Sequence, residues 1–85
     1  MSHRAHQLAD RWTLAQLIPL LAQTIGEEKA RDVIETAAEG LGLSVKDGLL
    51  GAEVLALLDE IATTPGIVGI TARFAKSRVH LSRRP

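Results

Sequence analysis

Apolar side chains recur at steps of three and four along most of this 85-residue chain, and the intervals between runs are short and marked by glycine. That spacing draws a stripe along one side of a helix, whereas a half-buried strand alternates every second residue. The first run is Leu14, Leu17, Ile18, Leu21 and Ile25, and the second is Ala30, Val33, Ile34, Ala37, Ala38 and Leu41. The third comprises Val54, Leu55, Leu58, Ile61 and Ala62, with Leu50 and Leu57 widening it. At 100° per residue its side chains span roughly 160°, an arc wide enough to touch more than one neighbour. In the fourth run Ile67, Ile70, Phe74 and Leu81 keep helical spacing, with Ala72, Ala75 and Val79 alongside. Its β-branched opening, Ile67, Val68 and Ile70, also permits a strand, but alternation fades after a few residues while the helical stripe persists.

Composition agrees with helices. Alanine and leucine supply 25 of the 85 residues, and Trp12 and Phe74 are the only aromatics, whereas strands favour aromatic and β-branched side chains. The expected fold is all-α, a compact bundle of about four short helices. A single helical domain covers residues 12–85, after a flexible N-terminal segment at 1–11.

Local signals set the expected boundaries. Thr13 with Gln16 three residues on is a capping box that starts the first helix. Pro19 lies beyond the first turn, removes a backbone donor and crowds the Ala15 carbonyl, so a kink or short break is expected near Ile18. Gly26 punctuates, Gly40 and Gly42 stop the second helix, and Ser44 and Asp47 offer caps for the third. Thr64, Pro65 and Gly66 close the third and open the fourth, with proline at the first helical position. Trp12, just before the first cap, is placed to act as a hydrophobic staple, its alternative role being an exposed anchor in a protein contact.

Formal net charge is zero, yet the charges are segregated. Residues 27–60 hold nine acids against three bases, while 61–85 hold five bases and no acid. Glu28, Asp32, Glu35 and Glu39 line one face of the second helix, and pairs such as Glu27–Arg31 and Arg31–Glu35 are at contact spacing. The basic set is Arg73, Lys76, Arg78, His80, Arg83 and Arg84. These faces are complementary, and can meet within one bundle or across two copies. Arg78 falls near the middle of the fourth apolar arc, so the helix has ended by then, or the guanidinium reaches an edge, or it meets an acid across an interface.

Little in the sequence assembles chemistry. There is no cysteine, hence no thiol nucleophile, thiolate site or disulfide, which fits a reducing cytoplasm. No apolar run approaches the roughly 18 residues that span a bilayer, and the first ten residues do not read as a signal peptide. His3 and His6 share a helical face but lack further ligands nearby, and His80 has only Ser77 at contact spacing. The glycine pairs lack the lysine and hydroxyl of a phosphate loop. No enzymatic activity, metal or cofactor is expected. Leu58 to Ala75 carries the alanine-to-glycine spacing of a helix-turn-helix, but Val68, Gly69 and Ile70 stand where base-reading groups belong.

The expected function is a noncatalytic, cytoplasmic protein-protein interaction module that self-associates as a homodimer. A small, aromatic-poor core without staples gains stability from oligomerisation. The expected interface is Leu50, Val54, Leu57, Leu58, Ile61, Ile67, Ile70 and Phe74. Two alternatives remain: a nucleic-acid-binding domain using the basic C-terminal helix, and an adaptor that docks onto a larger protein. No membrane contact is expected.

Overall fold

The computed structural model describes residues 11–82, and among them the chain forms four α-helices. These are α1 (Leu14–Ile25), α2 (Glu27–Leu41), α3 (Gly51–Ala62) and α4 (Ile67–Ser82), with a single 3-10 turn at Val45–Asp47. The all-α bundle read from periodicity is the observed one. Residues 1–10 of the expected flexible segment, including His3 and His6, lie outside the described residues, as do Arg83, Arg84 and the side chains of His80 and Leu81.

Each helix packs on two others, so the contacts close a ring in chain order: α1 on α2, α2 on α3, α3 on α4, and α4 back on α1. The wide apolar arc of α3 follows from its place between α2 and α4. Its Val54, Leu57, Leu58 and Ile61 are buried, next to Leu17 and Leu21 of α1, Ile34 of α2 and Leu49 of the preceding loop in one core. Each such leucine or isoleucine contributes about 1.5–3 kcal/mol by leaving water. The described core holds no fully buried aromatic ring, and Trp12 packs against it only in part.

The helix ends show which local signals prevailed. α1 begins as expected: the Gln16 backbone N–H donates to Thr13 Oγ1 at 3.3 Å, and the Thr13 N–H donates to Gln16 Oε1 at 2.9 Å. Pro19 does not break it, and α1 runs through to Ile25. Ala15 and Pro19 both lie on the exposed side, so the carbonyl that loses its partner faces water, where the loss costs least. Gly40 continues α2, and the stop is Gly42, whose left-handed φ of 73° lets the Leu43 N–H reach back to the Ala38 carbonyl at 2.9 Å.

Neither Ser44 nor Asp47 caps α3. Ser44 Oγ instead donates to Asp47 Oδ2 at 3.2 Å around the 3-10 turn. The start of α3 is held by Glu53, whose carboxylate accepts the Leu50 N–H at 2.9 Å. Pro65 falls in the turn rather than at the first position of α4, which begins at Ile67. One long-range tie joins the beginnings of α1 and α3: Trp12 and Leu49 exchange two backbone hydrogen bonds of 2.8 Å each. Beside it, Arg11 donates to the Gly48 carbonyl at 3.4 Å.

Candidate interaction surface

The fourth helix is inverted relative to the size of its side chains. Val68, Ala72, Ala75 and Val79, with Thr71, form its buried side. Thr71 satisfies its hydroxyl within the helix, donating to the Ile67 carbonyl at 2.7 Å. The larger Ile67, Ile70 and Phe74 face outward, 56%, 50% and 69% exposed. At the start of α4, Gly69 allows a tight approach to the preceding turn, since any β-carbon there would collide with the Thr64 carbonyl oxygen.

Single exposed apolar residues are ordinary on a protein surface, but a contiguous apolar stripe is not. Ile67, Ile70 and Phe74 follow steps of three and four, so they share one side of α4. Among the expected interface residues, Leu50 is also outward at 47%. Val54, Leu57, Leu58 and Ile61 are not available to a partner, since all four are at most 2% exposed in the core of a single chain. Their wide arc serves two intrachain neighbours, which periodicity alone does not distinguish from one neighbour and a partner.

Exposed bases flank the stripe, but two of the three described ones are engaged within the chain. Lys76 Nζ lies 2.6 Å from Asp59 Oδ1 of α3, the ion pair formed among the described residues. The Arg78 guanidinium donates to the Leu20 carbonyl at 2.8 Å, so α4 has not ended there and the charge reaches an edge against α1. Arg73 is exposed. Glu28, Asp32, Glu35 and Glu39 are all exposed along α2. α2 and α4 are not packed neighbours in the ring, so the acidic and basic faces do not dock on each other through helix packing within one chain.

A four-residue turn joins α3 to α4, and Val68 and Gly69, which stand where a recognition helix would present groups to bases, are buried. Among the described residues no three His, Asp or Glu side chains converge to hold a metal, and no helix is long and apolar enough to cross a membrane. Comparison with protein-family models, curated proteins and solved structures finds no match to this chain.

A second surface feature was not legible in the sequence. Between α2 and the end of α3 runs an open groove of about 470 Å³, lined by the half-buried Val33 and Ala37, by three threonines and Gly40, and by the exposed Asp32 and Glu60, with the buried Ile61 beneath. Its only sequence signal is a glycine inside a helix. Gly40 reads as a stop signal until Gly42 is seen to end α2.

Proposed function

We propose that this chain is a noncatalytic helical interaction module that self-associates through the outer side of α4. The observation that carries the reading is the joint exposure of Ile67, Ile70 and Phe74 on one side of that helix. A chain with so little aromatic bulk leaves its one phenylalanine in water, and covering the stripe supplies burial that the core lacks. A second copy is the partner that the charge division favours, because the chain carries acidic and basic faces on helices that do not pack together. A cytoplasmic setting fits the absence of cysteine.

Light scattering of the purified chain at low and high salt tests this. The expected result is a mass of two chains that falls to one in Phe74→Glu. A wild-type chain that stays at single-chain mass at high protein concentration and both salts overturns the reading.

A further inference from the structure

The α4 stripe carries its own restriction on what can cover it. At 100° per residue Arg73 lies on one side of Ile67, Ile70 and Phe74, and Arg78 lies on the other. Two copies meeting stripe to stripe, in either direction, bring the bases of one helix against those of the other. No acid between residues 61 and 85 relieves that repulsion. Like charges set against each other at an interface are a recognised barrier to pairing. The stripe therefore fits a surface with an apolar floor and an acidic rim.

The groove between α2 and α3 offers that pairing: the half-buried Val33 and Ala37 lie along it, and the exposed Asp32 and Glu60 flank it. The α4 of the same chain cannot fill it, because Val68, Ala72, Ala75 and Val79 hold that helix in the core against α3 and α1. Gly40 leaves its edge open, with no atom within 4 Å of where a β-carbon would stand. We propose that the α4 stripe of one copy seats in the α2–α3 groove of a second copy, with Arg73 facing Asp32 and Glu60. This rests on the self-association reading above and specifies its contact. It joins two different surfaces, so it closes into a pair only when both copies make it at once, and otherwise runs head to tail.

Two variants separate this arrangement from symmetric pairing of α4 with α4. Phe74→Glu removes the stripe and leaves the groove intact. Gly40→Arg fills the groove with bulk and positive charge and leaves the stripe intact, at a helical position with open space for the side chain. Circular dichroism and thermal midpoints establish that both remain folded. Light scattering then reads three samples: each variant alone and the two mixed in equal amounts. The expected result is single-chain mass for each alone and a two-chain mass for the mixture, in which the stripe of Gly40→Arg enters the groove of Phe74→Glu. If Gly40→Arg alone keeps the wild-type mass, the groove proposal is overturned while self-association stands. If the mixture stays at single-chain mass, the two-surface contact is likewise overturned. A wild-type chain at single-chain mass removes both the proposal and the reading beneath it.

Discussion

Two glycines in helices have opposite physical roles. Gly69 is buried where α4 meets the turn before it, and a β-carbon there collides with the Thr64 carbonyl oxygen and stands 2.9 Å from that of Ala62. Gly69→Ala should therefore destabilise the fold by about 1–3 kcal/mol despite the better helix propensity of alanine. The midpoint of urea unfolding followed by circular dichroism checks it. Gly40 is exposed with nothing near the position of a β-carbon, so Gly40→Ala should raise stability by about 0.5–1 kcal/mol in the same measurement. The sequence shows both as glycines among apolar stripes. Only the neighbouring backbone separates a tight contact from an open groove.

Helix ends were partly readable. The Thr13 capping box was legible because its partners are three residues apart and act locally, whatever the rest of the chain does. Thr13→Ala should lower stability by about 1 kcal/mol, seen as a reduced urea midpoint at unchanged slope. The start of α3 is set by neither Ser44 nor Asp47, which satisfy each other around a 3-10 turn while Glu53 takes the capping role. Pro19 predicts a kink or short break near Ile18, yet an outward-facing proline one turn after the exposed Ala15 leaves the helix unbroken. Between helices, the Lys76–Asp59 pair has both side chains well exposed, at 41% and 59%. Asp59→Asn should change stability by less than about 1 kcal/mol, and the difference should shrink as salt rises.

For the molecule as a whole, core and surface of the same apolar pattern respond differently to charge. Leu57 is fully buried between its helical neighbours, so Leu57→Asp should abolish cooperative unfolding, since an unpaired carboxylate in that core costs several kcal/mol. Phe74→Glu should leave the unfolding free energy of the single chain within about 0.5 kcal/mol of wild type, as surface changes do, while removing association. Circular dichroism together with light scattering on both variants reads the two outcomes. Failure of Leu57→Asp says nothing about an interface, because its burial is complete within one chain.

The sequence by itself determined that the chain is helical, that it has four helices, and that charge is divided between them, because periodicity, propensity and charge order are local properties. It also placed Ile67, Ile70 and Phe74 together on one side of α4. Tertiary structure alone decided which side of each helix turns inward. The apolar arc of α3 went wholly to intrachain neighbours because that helix lies between α2 and α4. On α4 the small side chains went inside and the large ones outside, with Gly69 buried at its start against the carbonyls of Thr64 and Ala62. Helical spacing specifies that a stripe exists, but the packing of neighbouring helices specifies which stripe is buried.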